Sequence, residues 1–372
     1  MKFTLKSLED DERPVYITGN FNGWNPKDPA CLMKQNDENL YETEISSELL
    51  PENIEYKFTR GGWENGEIDR HGNITHNRKI GKSAGETYDT VERWRTNWAP
   101  FKTEFFPIVQ IISEDFYIPQ LNKTRKIWAL LPHDYHDSEL HYPVLYLQDA
   151  QNLFNEGSEF GNWEIDKKMS ILAEYGRGDI IIIAVENGRE DRIKEYSLDA
   201  GSISNNAEGK KYVRFLADTL KPYIDQHFRT LPEREHTGIG GSSLGGLISI
   251  YSGFLYPEVY SKLMIFSPSL WINPENKFPQ MNFSTPYELK VYLYGGENEG
   301  SEMTERIKIF HDTMQTWENS HSLQFTFRMS INPTGKHQEF DWSQEFPRAV
   351  EWLYYDTDED PKERSEKISL QK

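Results

Sequence analysis

Gly241-Ser242-Ser243-Leu244-Gly245 is a Gly-x-Ser-x-Gly that stands between a short apolar run and a helix-prone stretch. A serine hydroxyl is a poor nucleophile until a base takes its proton and the backbone holds its oxygen toward a substrate. A tight strand-to-helix turn does the holding. Glycines are needed there because the backbone is strained and neighbouring elements pass close. Thr237-Gly238-Ile239-Gly240 is expected to end a buried strand, and Leu244 through Tyr256 to begin a helix. The register has one solution, because Ser242 has Leu244 rather than glycine two residues on.

The surrounding pattern suits such a turn. From Val109 onward, strand-like runs at Lys126 to Leu131, Val144 to Leu147, Ile180 to Val185, Leu263 to Phe266, Leu289 to Tyr294 and Leu323 to Met329 alternate with helical stretches such as Lys167 to Tyr175 and Tyr212 to Phe228. Ile180-Ile181-Ile182-Ile183-Ala184-Val185 is apolar without interruption, as expected of a strand covered on both faces. The expected class is α/β, a mostly parallel sheet with helices on both faces, over residues 109–355. Residues 1–95 read differently. Val15 to Thr18, Leu40 to Ile45, Ile54 to Thr59 and Thr87 to Val91 are short strands separated by turns, which points to a small all-β, immunoglobulin-like sandwich. A tryptophan-bearing linker at 96–108 joins the two, and 356–372 is a charged tail.

Bulk properties exclude several roles. At 372 residues the chain suggests two domains, and 10 Trp, 20 Tyr and 20 Phe supply material for their cores. A net charge of −19 argues against nucleic acid or an anionic membrane surface as partner. The single cysteine, Cys31, leaves no intramolecular disulfide and no multi-cysteine zinc site. No signal-peptide pattern opens the chain and no run is long enough to span a bilayer, so the expected location is the cytoplasm. His133-x-x-His136 with His141 lies among Pro132, Asp134, Tyr135 and Asp137 and reads as a polar turn, so no metal is expected.

If Ser243 is a nucleophile it needs an imidazole and a carboxylate. In this fold class the base comes last in the chain, after the final strand and before the last helix. His337, in Thr334-Gly335-Lys336-His337-Gln338-Glu339, meets that description; His311 and His321 fall within or before the preceding elements. The acid follows the strand before it, where Gly295-Gly296-Glu297-Asn298-Glu299-Gly300 offers both Glu297 and Glu299. An oxyanion hole takes two backbone N–H groups. One is that of Leu244; the loop after Val144 to Leu147 is the source of the other.

Four segments in this order carry a family resemblance. Gln148-Asp149-Ala150-Gln151-Asn152-Leu153-Phe154 followed by Trp163 and Asp166, the stretch Asn187 to Tyr196 with Arg192 and Glu195, Gly296-x-x-Glu299-Gly300, and Gly335-x-His337-x-Glu339-x-x-Trp342 resemble the esterase family that includes enterochelin esterases, esterase D and feruloyl esterases. The likeness spans about residues 105 to 355. It implies an α/β-hydrolase fold and ester hydrolysis through an acyl-enzyme without a cofactor, with Ser243, His337 and Glu299 as the triad. It favours Glu299 over Glu297, assigns the second oxyanion donor to the Gln151 N–H, and makes Asp149, Trp163 and Arg192 substrate-binding candidates. One departure is Ala150, where the family commonly carries glycine. The segment Glu156 to Trp163 is expected to form a rim of the cleft.

Gly19-Asn20-Phe21-Asn22-Gly23-Trp24-Asn25 and Tyr56-Lys57-Phe58-Thr59-Arg60-Gly61-Gly62-Trp63, with Glu67, Asn77 and Arg78, are similar to starch- and glycogen-binding carbohydrate-binding modules. That likeness implies glucan binding, with Trp24 and Trp63 stacking on sugar and Lys57 bonding hydroxyls; the same fold also serves as a spacer beside esterase domains. The expected function is therefore a serine carboxylic ester hydrolase acting on an acylated or feruloylated carbohydrate or a siderophore ester. The alternative is a non-catalytic glycan-binding protein with a degenerate hydrolase domain.

Overall fold

The computed structural model describes residues 1–9, 12–37, 39–154, 161–198, 206–272, 286–300, 302–317 and 323–355. The tail at 356–372, His321 and positions 156–160 of the expected cleft rim lie outside the described residues. Two compact units divide the chain: Met1–Phe105 with Ser170–Glu174, and Phe106–Met169 with the chain from Tyr175. Residues 96–105 of the expected linker fall in the first unit and 106–108 in the second.

In the first unit, Lys2–Ser7 pairs antiparallel with Leu40–Glu44 and parallel with Glu86–Val91, and Lys34–Asp37 completes that sheet. A second sheet holds Tyr16–Gly19, Asn53–Thr59 and Arg78–Gly81. Alternation sends Phe3, Leu5, Ile17, Ile54, Tyr56 and Phe58 into one core. Three of these strands, Lys2–Ser7, Lys34–Asp37 and Arg78–Gly81, escape a reading of the sequence. Lys2–Ser7 has only Phe3 and Leu5 between lysines, and Arg78–Gly81 has a single apolar residue. Arg78 is drawn in by charge instead, with Nη1 at 2.6 Å from both oxygens of the buried Glu67.

The second unit is an α/β-hydrolase fold built on one eight-stranded sheet, numbered here β1 (Ile108–Ile118), β2 (Lys123–Leu131), β3 (Val144–Gln148), β4 (Ile181–Val185), β5 (Thr237–Ser242), β6 (Lys262–Phe266), β7 (Tyr287–Gly296) and β8 (Leu323–Asn332). Their spatial order is β1-β2-β4-β3-β5-β6-β7-β8. β2 is antiparallel to both its neighbours, and β3 through β8 are parallel. β1, which no apolar run announces, is an edge strand with a polar stretch at Ser113-Glu114-Asp115 and two register irregularities against β2. Polar, irregular edges of this kind resist pairing with a second sheet.

Side-chain alternation along the strands explains why both faces are covered. Leu263, Ile265, Val291 and Leu293 join one core cluster with Leu247, Ile250 and Phe254 of helix Leu244–Leu255 and Ile307 and Phe310 of helix Met303–Trp317. The intervening Phe266, Tyr292 and Tyr294 meet other partners: Trp163 stacks on Phe266 at 5.3 Å, and Trp352 of helix Glu339–Tyr354 meets Tyr292 edge-on. Register then brings the strand ends together. Ser242 lies opposite Phe266, Phe266 opposite Tyr294, and Gly296 opposite Asn332, so the loops leaving β5 through β8 emerge side by side.

Between β5 and its helix the backbone doubles back on itself. A Cβ on Gly241 would lie 2.9 Å from the carbonyl carbon of Gly245 and 3.0 Å from its oxygen. Gly241→Ala should therefore lower stability by about 1–3 kcal/mol through overpacking. Thermal unfolding measures it, and an unchanged midpoint would mean that the helix start is free to shift.

Candidate active site

Ser243 sits at φ 55° and ψ −121°, between β5 and helix Leu244–Leu255. That conformation is costly for a residue with a Cβ and survives only where its surroundings hold it. They do so on both sides. The Ser243 N–H donates to Phe266 O at 2.9 Å, and Ser243 O accepts from the N–H groups of Ser269 (3.0 Å) and Leu247 (3.1 Å). The hydroxyl oxygen lies 3.2 Å from Ser269 Oγ. Leu244 is the first residue of its helix, so its N–H has no partner four residues back.

Beyond β7 the two candidate acids separate. Glu297 is exposed, whereas the Glu299 side chain has 0% exposure and its Oε2 lies 2.8 Å from His337 Nδ1. Glu299 Oε1 accepts from the Gly296 N–H at 2.6 Å and from Ser267 Oγ at 2.7 Å. The imidazole is partly exposed and its ring meets Trp342 edge-on, with centroids 4.9 Å apart. The turn is compact because Gly296 carries no side chain: a Cβ there would fall 2.3 Å from the backbone of Gly335, in the loop that carries His337. Ser243 and the Glu299–His337 pair are thus tied to one short segment, Phe266–Ser269, which bonds the serine backbone on one side and the carboxylate on the other.

The loop after β3 opens with Asp149 in the left-handed region, φ 61° and ψ 49°, followed by the single helical turn Ala150–Asn152. In such a turn the first N–H groups, Gln151's among them, have no partner within the turn. The Gln151 side chain bonds the backbone of Asn187 in both directions, at 3.0 and 3.3 Å. Asp149 is buried and fully engaged. Arg192 binds it with two nitrogens, 2.7 and 2.8 Å, and Asn187 Nδ2 adds a third contact at 2.6 Å. Gly245 borders the same carboxylate, since a Cβ on it would lie 2.8 Å from Asp149 Oδ2. Asp149 and Arg192 spend their polar atoms on each other beside the serine turn, and Trp163, 2% exposed, packs between Phe266, Trp342 and Phe346. Glu339 is another buried carboxyl of this region. Burial pushes it above its ordinary value of 4.5, and Asn152 Nδ2 donates to it at 3.1 Å.

In the first unit, Trp24 and Trp63 are half-buried neighbours, their ring centroids 6.4 Å apart. Trp24 has a positive φ of 60°. Lys57 donates to Thr75 O, and burial pushes its ammonium below the ordinary value. Glu67 and Arg78 hold the fold as a buried ion pair rather than presenting a surface. Among the described residues, no group of three His, Cys, Asp or Glu is placed to hold a metal, and no helix is long and apolar enough to cross a membrane.

Reading the sequence passed over Ser267 and Ser269. No motif marks them. The available signal was position alone: Phe266-Ser267-Pro268-Ser269 follows the strand next to that of the Gly-x-Ser-x-Gly.

With this geometry in place, comparison with known proteins is informative. The family model described as "Putative esterase" matches residues 118–353. The chain is 25% identical over 240 residues to "Uncharacterized protein YbbA" of Bacillus subtilis (strain 168), covering 62% of this chain and 92% of that protein. An alpha-amylase of Niallia circulans is 37% identical over 86 residues, which are 22% of this chain and only 6% of the amylase. Among solved structures, the enterochelin esterase from Shigella flexneri aligns with a TM-score of 0.51 at 13% identity, over 95% of this chain and 92% of its own. That likeness is one of fold.

The buried Glu339 yields a pH prediction. Its folded form holds the proton to higher pH than the unfolded chain does, so ionising it costs stability as pH rises above 4.5. Glu339→Gln keeps an acceptor for Asn152 and removes that cost. Denaturant unfolding should show the variant more stable than wild type at pH 7, with the advantage vanishing below about pH 4.5; equal stability at pH 7 would contradict it.

Proposed function

We propose, on the premise that this chain belongs to the esterase family and is a carboxylic ester hydrolase, that Ser243 is its nucleophile, His337 its general base and Glu299 the carboxylate that steadies the imidazolium. The observation that carries the reading is the 2.8 Å bond from His337 Nδ1 to a fully buried Glu299, on the loops beside a serine held at positive φ. A carboxylate on Nδ1 fixes the tautomer that leaves Nε2 free to accept a proton. The Ser243 hydroxyl exchanges Ser269 for Nε2, gives up its proton and attacks the ester carbonyl. The N–H groups of Leu244 and Gln151 receive the developing oxyanion. His337 then protonates the leaving alcohol, and a water activated by the same imidazole releases the acid from the acyl-enzyme. Asp149, Arg192 and Trp163 serve substrate by shaping the wall around this turn: the ion pair braces the loop that carries Gln151, and the indole backs Phe266.

The substrate is an acylated or feruloylated carbohydrate, or a siderophore ester of the kind the name enterochelin esterase denotes. The adjacent indoles of Trp24 and Trp63 favour carbohydrate, since aromatic faces stack on the apolar faces of sugars. A positive φ on Trp24 is an outlier of the sort that accompanies a ligand-facing residue. Lys57, bonded to Thr75 O, keeps two of its three donors for hydroxyls. On this reading the first unit holds a glucan.

Turnover of a short-chain chromogenic ester tests the chemistry. Ser243→Ala and His337→Ala should each lower kcat roughly 10³-fold or more. Glu299→Gln should lower it about 10²- to 10⁴-fold, while Glu297→Gln leaves it at the wild-type level. Turnover that persists in Ser243→Ala excludes this nucleophile; wild-type protein inert on acetyl, feruloyl and siderophore esters alike would favour glycan binding without catalysis. For the first unit, retardation in an amylopectin gel should be lost in Trp63→Ala, and equal mobility of wild type with and without amylopectin would rule out the glucan.

A further inference from the structure

Ser267 follows β6 with φ 43°, a left-handed conformation that a serine seldom adopts. Its N–H donates to Tyr294 O at 2.8 Å, which pins the residue against the end of β7. Two side-chain hydrogen bonds then have their directions settled by chemistry alone. The Trp342 indole N–H is a donor only, so Ser267 Oγ must accept it, at 2.9 Å. The single hydroxyl proton is left for Glu299 Oε1, 2.7 Å away, and an ionised carboxylate can only accept. With the Gly296 N–H also on Oε1, that oxygen is fixed twice, and Oε2 is left aimed at His337 Nδ1.

We infer that Ser267 is a positioning residue of the hydrolytic reaction: polarised by the Trp342 indole, its hydroxyl locks the Glu299 carboxylate in rotation so that Oε2 holds the His337 imidazole. This rests on the triad reading above and adds a residue that acts through Glu299, without touching substrate. A carboxylate with no exposure has no water to replace a lost donor, so without the hydroxyl Oε1 would keep the Gly296 N–H alone. The strained backbone supports the assignment, because glycine would relieve φ 43° and the chain carries a hydroxyl there instead. Other ionisable groups feel the pair through space: Tyr294 of β7 feels Glu299, and Glu339 of the last helix feels His337. Asp341 and Glu345 of that helix act on Tyr294. All are left in place by the test.

Ser267→Gly removes the hydroxyl while suiting the backbone, and Trp342→Phe removes the indole N–H while keeping an aromatic ring beside His337. With a chromogenic ester, Ser267→Gly should lower kcat about 10- to 100-fold, the worth of one hydrogen bond to a buried charge. KM should change little, and the relief of φ 43° should offset part of the stability lost with the hydroxyl. The acidic limb of the kcat/KM profile, which reports the His337 imidazolium giving up its proton, should move to higher pH, since a carboxylate that loses a donor holds the imidazolium more strongly. Trp342→Phe should shift kcat and the limb in the same direction by a smaller factor. Wild-type kcat and an unmoved limb in Ser267→Gly overturn the inference, and so does a kcat loss accompanied by a lowered midpoint and an unmoved limb. Ser243→Ala run alongside separates the two failures: persistent turnover there sinks the triad, whereas an inactive Ser243→Ala beside an unaffected Ser267→Gly sinks only the role of Ser267.

Discussion

A serine at φ 55° and ψ −121° cannot relax without losing the hydrogen bonds that flank it, and the rest of the site is arranged around that fact. Its N–H is held by Phe266 and its carbonyl by Ser269 and Leu247, while Gly241 and Gly245 let strand and helix approach closely enough to make the turn. Two more non-glycine residues near it share a positive φ: Asp149 at 61° and Ser267 at 43°. Each lies just past the carboxyl end of a parallel strand. Strain of this kind persists when a stiff sheet on one side and packed helices on the other over-determine the loop between them. It gathers here because the strand ends are where backbone can leave regular pairing without unpairing the sheet.

Polar atoms around the serine turn form two closed sets. In one, Glu299 receives Gly296, Ser267 and His337, with Trp342 closing the set on Ser267. In the other, Asp149 receives Arg192 twice and Asn187 once. Buried carboxylates are tolerable only when each oxygen is matched, and then they rigidify their surroundings. The family membership of the chain and this arrangement agree on ester hydrolysis. On the proposed mechanism, rigid, prepaired acids suit a reaction whose rate depends on holding an imidazole at one angle.

The α/β architecture of the second unit was largely legible, because parallel strands covered on both faces must be written as apolar runs. Val144 to Gln148 and Ile181 to Val185 are of that kind. β1 was not legible, since an edge strand half in water carries polar residues such as Ser113 and Glu114 that resemble a loop. Lys2–Ser7 hid for a related reason: only Phe3 and Leu5 mark it, and its place at the centre of a sheet comes from pairing with Leu40–Glu44 and Glu86–Val91, both distant in the chain. The helix after Leu244 closes at Leu255, one residue inside the expected stretch, and the last helix begins at Glu339, directly after the loop that carries His337.

By itself the chain determined which residue types stand ready for the chemistry: a serine between glycines, a late histidine, two glutamates in one turn, and indoles in the first unit. Local spacing and turn composition carry that information because they act over a few residues. The family resemblance favoured Glu299 over Glu297, and the fold puts the Glu299 carboxylate on the imidazole; tertiary structure alone decided that Trp163 stacks on Phe266, that Arg192 and Asp149 are each other's partners, and that Ser267 bonds the acid. Those outcomes depend on the register of β5, β6 and β7 and on which loops that register sets side by side. Contacts between residues tens of positions apart are made by the sheet, and no short stretch of sequence contains them.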